Sequence, residues 1–261
     1  MGVTPLIVRN LRKEFGGVVA VDDASFEVRK GEVVALVGDN GAGKSTLVKL
    51  ISGVYSPSGG EILINGDPAR SRSHARDRGI EVVYQDLALA DWQPVYMNLF
   101  LGRERVRRFT GQLDRKLMAA EAQRLIDELD VRIPGVRTAI RHLSGGQRQA
   151  VAIARATHWA KGLVLLDEPT AALGVAETAR VEDLIVSLKR KGLAVLVVSH
   201  NLDQVYRIAD RVIVMRRGKH VATSDLISMG QNELVAHITG VAVSAARPGT
   251  SDEQDIRNNH L

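Results

Sequence analysis

The chain has 261 residues, 45% of them hydrophobic and 25% charged, with a formal net charge of +5 and no cysteine. That length accommodates one large α/β domain or two modest ones. The composition excludes a disulfide framework and a thiolate metal site, and no apolar run approaches the roughly 18–20 residues that span a bilayer. Residues 1–15 lack the long apolar core of a secretory signal, so these features predict a soluble, cytoplasmic chain. Basic clusters at 70–78, 103–108 and 216–219 read as solvated faces. No nucleic-acid-binding motif accompanies them, whereas an anionic membrane surface suits the charge.

In chain order, the first 35 residues alternate as strands: LIVRNLRKEF, SFEVRK and GEVVALV. A helix KSTLVKLIS follows and ends at Gly53, a natural stop. Strands EILING and IEVVYQ come next. From about 86 to 155 the pattern turns helical, and within it 113–130 places Leu117, Ala120, Leu125 and Leu129 near one face. Strands and helices then alternate: GLVLLDE, VEDLIVSLKRK, LAVLVVSH, NLDQVYRIA and DRVIVMRRG. Short apolar strands alternating with helices imply a parallel sheet buried on both faces. The expected architecture is one α/β unit over 1–240 with an inserted helical part at about 86–155, then a mobile tail at 241–261.

Residues 38–45, GDNGAGKS, fit a phosphate-binding loop between a strand, VVALV, and a helix. Gly38, Gly41 and Gly43 let backbone N–H groups wrap phosphates, and the helix N-terminus adds partial positive charge. In that reading Lys44 reaches the β- and γ-phosphates and Ser45 binds Mg²⁺; Asp39, Asn40, Ala42 and Thr46 complete the nucleotide contacts. A turn between strand and helix explains the glycines but not the Lys-Ser pair. GLVLLDE supplies the carboxylates such a loop needs. Asp167 lies at a strand end, where ligands of parallel sheets gather, and is placed to hold Mg²⁺. Glu168 is placed to orient or deprotonate the attacking water. His200 ends another apolar strand and can donate to the γ-phosphate; alone it reads equally as an N-cap neighbour. Gln85, after IEVVY, can reach Mg²⁺ or the water through its amide.

A second anion site opens the helix QRQAVAIARAT. Ser144 and Gln147 form a capping box. Gly145 and Gly146 are not explained by it, because each glycine in a first turn costs up to about 1 kcal/mol relative to alanine. Something must approach the backbone there, and the economical candidate is the ATP of another copy.

These residues together carry a resemblance to the nucleotide-binding subunit of ATP-binding cassette (ABC) transporters. GDNGAGKS resembles its Walker A, LVLLDE its Walker B, LSGGQ its signature, Gln85 its Q-loop and His200 its switch histidine. The resemblance implies a P-loop ATPase fold with a mostly parallel sheet, an N-terminal antiparallel β subdomain and an inserted helical subdomain. It implies ATP and Mg²⁺ as ligands, with Ser144, Gly145, Gly146 and Gln147 acting in trans on the ATP of a second copy or a similar cassette. Phe15 lies where the family stacks an aromatic on adenine. The stretches GDNGAGKST, VYQDLALAD, NLFLGRE and TAALG resemble the branch that serves monosaccharide importers. Expected partners are membrane-spanning permease subunits and, indirectly, an external sugar-binding protein, with the chain on the cytoplasmic face of the membrane. The alternatives are an exporter, an importer of another substrate, or a soluble non-transport ATPase. Two departures stand out. Gly174 replaces the aspartate usual after Walker B, and DWQPVYM departs from the usual pattern after Gln85.

Overall fold

The computed structural model describes residues 3–69, 75 and 77–241. The expected tail beyond Val241 and most of the 70–78 basic cluster lie outside them. Ten strands form one sheet: β1 (Leu6–Phe15), β2 (Val18–Val28), β3 (Val33–Val37), β4 (Gly59–Ile64), β5 (Asp67–Pro68), β6 (Ile80–Val83), β7 (Leu163–Asp167), β8 (Ala194–Val198), β9 (Arg211–Arg216) and β10 (Lys219–Asp225). Their spatial order is β5-β4-β1-β2-β10-β9-β3-β8-β7-β6. From β9 to β6 every pairing is parallel. Pairs β1–β2, β1–β4 and β4–β5 are antiparallel and form a wing. A single ladder pair, Lys219↔Asp22, joins wing and parallel part.

Seven α-helices accompany the sheet among the described residues: α1 (Lys44–Ile51), α2 (Val95–Leu99), α3 (Arg115–Glu128), α4 (Gly145–Trp159), α5 (Val175–Arg190), α6 (Leu202–Ile208) and α7 (Gln231–Thr239). None is long and apolar enough to cross a membrane. The parallel strands are apolar at nearly every position because both faces are covered. On one face Val164, Leu166, Val195 and Val197 pack with Val151 and Ile153 of α4 and with Ile185 and Leu188 of α5. On the other, Leu36, Leu165, Leu196 and Val198 pack with Leu47, Val48 and Ile51 of α1 and with wing residues such as Leu11 and Val21.

Several elements differ from the sequence expectation. β2 begins at Val18 rather than near Ser25, because register shifts in the β1–β2 ladder carry the pairing back to Phe15↔Val18. In α3 the buried face is Met118, Ala119, Ala122, Leu125 and Ile126; Leu117 is exposed, as is Ala120. Leu117 is the third residue of α3, where its backbone N–H donates to the capping Asp114 while the next residue, Met118, points inward. β10 and α7 were not expected at all.

Between β6 and β7, the turn at residues 90–98 is organised by one buried amide. Asn98 is fully buried. Its Oδ1 accepts from Ala90 N–H at 2.7 Å, and its Nδ2 donates to the carbonyls of Ala90, Gln93 and Pro94. Removing the amide takes the acceptor from the Ala90 N–H, at a cost of about 1–3 kcal/mol, while the three carbonyls keep their backbone donors. Asn98→Ala is expected to lower the melting temperature by about 4–8 °C; a thermal melt unchanged within a degree contradicts that role.

Candidate active site

β3, β8, β7 and β6 are consecutive neighbours, and their carboxyl ends are level. Leu36 pairs with Val198, Asp167 with Val198, and Val83 with Leu166. In that order they deliver the phosphate loop, His200, Asp167 with Glu168, and Gln85. The crevice beyond the carboxyl ends of such strands is where ligands of open α/β sheets sit. The four motifs spread through the sequence are thus adjacent because the sheet order makes them so.

The phosphate loop follows β3 without slack. A Cβ on Gly38 would lie 2.1 Å from the Met215 carbonyl oxygen, and one on Gly43 would lie 2.5 Å from that of Ala20, with both backbones at positive φ. Only glycine fits at either place. Lys44 opens α1 and folds back over the loop, donating from Nζ to the carbonyls of Gly38 at 2.6 Å and Asp39 at 3.0 Å. Burial holds its ammonium below the usual lysine range, against the carboxylates of Glu168, Asp39 and Asp167. A cation so poorly hydrated is ready for an anion.

Across the crevice, burial first and the Glu168 carboxylate second push the Asp167 carboxyl above its ordinary range, opposed by Lys44 and Lys49. Glu168 sits at φ 51°, a left-handed backbone conformation that costs a non-glycine residue of order 1–3 kcal/mol. Its N–H donates to Val198 O at 3.0 Å, which fixes the turn. The turn aims Glu168 at His200, with Oε2 2.8 Å from Nδ1. The imidazole is largely exposed and the carboxylate largely covered. His200 precedes Asn201, which caps α6 by accepting from Gln204 N–H, so His200 is the N-cap neighbour that its position in the sequence suggests.

A network invisible as a motif supports this pair. Ser199 Oγ donates to Gln204 Oε1, and Gln204 Nε2 donates to Thr170 Oγ1, each at 2.8 Å. Ser199 and Gln204 are buried. The network ties the segment bearing His200 to the segment just after Glu168. Val235 and Ile238 of α7, with Leu202, wall a cleft of about 390 Å³ beside Gly38, Asp39, Asn40 and His200. No sequence signal marks them beyond an apolar i, i+3 pair.

The structure places the remaining candidates as follows. Gln85 lies two residues past β6 and is exposed. Phe15 ends β1, is 42% exposed, and meets the Tyr55 ring edge-on at 5.2 Å. Ser144 caps α4 with both capping-box bonds present. The group that crowds the glycines, however, belongs to this chain. A Cβ on Gly146 would lie 2.8 Å from Glu177 Cβ, and one on Gly145 would lie 3.4 Å from Leu173 Cδ2. At Gly174 a Cβ would meet nothing and φ is −70°, so the backbone does not require glycine there.

The donors around Lys44 suit a magnesium ion: a serine hydroxyl, a half-buried carboxylate and an amide oxygen are all hard oxygens. Among the described residues there is no cluster of three acidic, histidine or cysteine side chains that could cage a metal. Mg²⁺ needs no such cage, because it keeps waters and shares phosphate oxygens.

The sequence profile of the ABC transporter family matches residues 21–171. The chain belongs to that family. The cassette is 45% identical to the xylose/arabinose import ATP-binding protein XylG of Sulfolobus acidocaldarius, covering 94% of this chain and 97% of that one. It is 42% identical to the fructose import ATP-binding protein FrcA of Rhizobium meliloti, covering 90% and 94%. Against the ribose import ATP-binding protein RbsA of Jannaschia sp. it is 39% identical over 93% of the cassette but only 47% of that chain. Among solved structures it is similar to cbiO1 of Clostridium perfringens, at 25% identity and TM-score 0.75, covering 91% of this chain and 95% of that one. It also shares its fold with the dimeric bacterial cassette MJ0796, at 24% identity and TM-score 0.71, covering 85% and 98%. The cassette is therefore an ATP-binding, ATP-hydrolysing α/β subunit.

The raised Asp167 carboxyl carries a stability consequence. A carboxyl whose folded pKa exceeds its unfolded value penalises the fold at every pH above that unfolded value. Asp167→Asn is expected to raise the melting temperature of the nucleotide-free cassette by about 2–4 °C near neutral pH. A lower melting temperature in the variant contradicts the assignment of strain to this carboxylate.

Proposed function

We propose that the cassette powers import of a monosaccharide, working as a dimer on the cytoplasmic face of permease subunits that an external sugar-binding protein serves. The observation that carries the ATPase reading is the juxtaposition of Lys44, Asp167, Glu168 and His200 on adjacent strand ends. The monosaccharide is supported by the relatives named above, which match nine-tenths or more of the chain and are named as importers of xylose/arabinose, fructose or ribose.

In this reading Phe15 stacks on adenine, Gly38 to Thr46 wrap the phosphates, and Lys44 exchanges its two loop carbonyls for β- and γ-oxygens. Ser45 and Asp167, with Gln85, would hold Mg²⁺, which would supply positive charge to offset that of the phosphates. Glu168 accepts a proton from water as its oxygen attacks the γ-phosphorus and the bond to the β-phosphate oxygen breaks, giving ADP and phosphate. His200, fixed by Glu168 and the Ser199–Gln204–Thr170 network, donates to the γ-phosphate. Ser144, Gly145, Gly146 and Gln147 of a second copy close the other side. Closure of the dimer around the γ-phosphate and its release after hydrolysis is an order-and-release switch.

Glu168→Gln is expected to retain ATP binding and lose about 10²-fold or more in turnover. Light scattering on that variant should show a monomer that doubles in mass only with ATP; undiminished hydrolysis, or one mass in both conditions, contradicts this mechanism. For the substrate, uptake of labelled xylose, arabinose, fructose and ribose is compared in cells with and without the cassette. Loss of one uptake, restored by the wild-type chain and not by Glu168→Gln, supports sugar import. Four unchanged uptakes sink it.

A further inference from the structure

The signature loop already carries an anion from its own chain. Ser144 Oγ donates to Glu177 Oε1 at 2.8 Å, and the backbone N–H groups of Gly146 and Gly174 lie beside the same carboxylate. Glu177 is the third residue of α5, whose N-cap, Gly174, offers no capping side chain. One carboxylate thus stands at the start of two helices, α5 and the signature helix α4. The fit is close: the absent Cβ of Gly146 leaves the room that the Glu177 side chain fills. The cleft beside it, about 410 Å³, is lined by Arg132, Arg180 and Arg190 as well as Ser144, Gly146 and Gln147.

We propose that Glu177 is a gating residue, which sets the ATP concentration at which the dimeric site forms by holding the Ser144 hydroxyl and the Gly146 N–H until a phosphate displaces it. This rests on the reading that the signature loop receives the ATP of a second copy. A serine hydroxyl has one proton to donate, and here it is committed to Glu177. A phosphate arriving at the same donors meets a like charge at contact distance, which is costly away from bulk water. The carboxylate must therefore turn aside. Arg180 stands three residues further along α5, within reach of a side chain at that spacing, and offers it a cation. Glu177 touches neither the γ-phosphorus nor the attacking water, so it acts on site assembly and not on the chemical step.

The test titrates MgATP against dimer mass in Glu168→Gln and in Glu168→Gln/Glu177→Gln. Glutamine retains an acceptor oxygen for Ser144 and Gly146 while removing the charge. Half-saturating ATP is expected to fall about tenfold in the double variant, as for loss of one opposing charge. ATP affinity of the dilute monomer, set by Gly38 to Thr46, should not move. Glu177→Ala in an otherwise unaltered chain should lower half-saturating ATP for hydrolysis while leaving kcat within about twofold. A residue that only capped its helices would behave oppositely, with half-saturation unchanged or raised in both variants. That result overturns the gate. Absence of any ATP-dependent dimer when Glu177 is intact overturns the trans reading itself, and the gate with it.

Discussion

The active site depends on the register of four parallel strands. β3, β8, β7 and β6 are hydrogen-bonded side by side with level carboxyl ends, and each contributes one short segment to a common rim. Strand side chains alternate in direction, so a slip of one residue exchanges the faces of all of them. For β7 such a slip would bring Glu168 to the position of Asp167 and leave no group against His200. The apolar content of these strands, buried on both faces, resists that slip. Core packing and catalytic geometry are thus the same constraint seen from opposite ends of the strands.

The motifs were legible in the sequence because each is local. A loop that must wrap phosphate shows as Gly38, Gly43 and Lys44, and a strand ending in carboxylates shows as LVLLDE. Parallel strands were equally visible as short apolar runs. The polar β10, KHVATSD, was not, since it owes its existence to the hairpin with β9 rather than to its own pattern. On α3, Leu125 and Leu129 are buried as expected, whereas Leu117 and Ala120 are not, because the N-cap fixes the first turn and so decides which residues point inward. At the site, what was hidden is whatever joins distant segments: the Ser199–Gln204–Thr170 network, the α7 wall, and Glu177 against Gly146. The demand for space at Gly146 was readable, but the group that fills it lies a helix, a strand and a turn further along the chain.

The signature helix does more than present an N-terminus. Arg155 of α4 donates to the carbonyls of Leu87 and Ala88, and Arg148 binds Asp91 at 2.7 Å and the Ile140 carbonyl. Arg141 stacks on Trp92 with its guanidinium 4.0 Å from the ring centre. The stretch that follows Gln85 therefore travels with α4, although the two are far apart in sequence. Any displacement of the capping serine is felt where the chain leaves β6.

The seam between the wing and the parallel part gives the cassette a mechanical character. One ladder pair crosses it, with Asp22 N–H donating to Gly218 O at 2.7 Å; a few side-chain contacts, among them Lys219 with Asp22 and Phe26 with His220, and apolar packing through α1 supply the rest. Apolar surfaces can slide where a hydrogen-bonded ladder cannot. Phe15 stands on one side of the seam and Lys44 on the other. In the proposed reading, a nucleotide held by both is a tie-rod across that joint, so the base and sugar, and not only the phosphates, would lend the molecule rigidity.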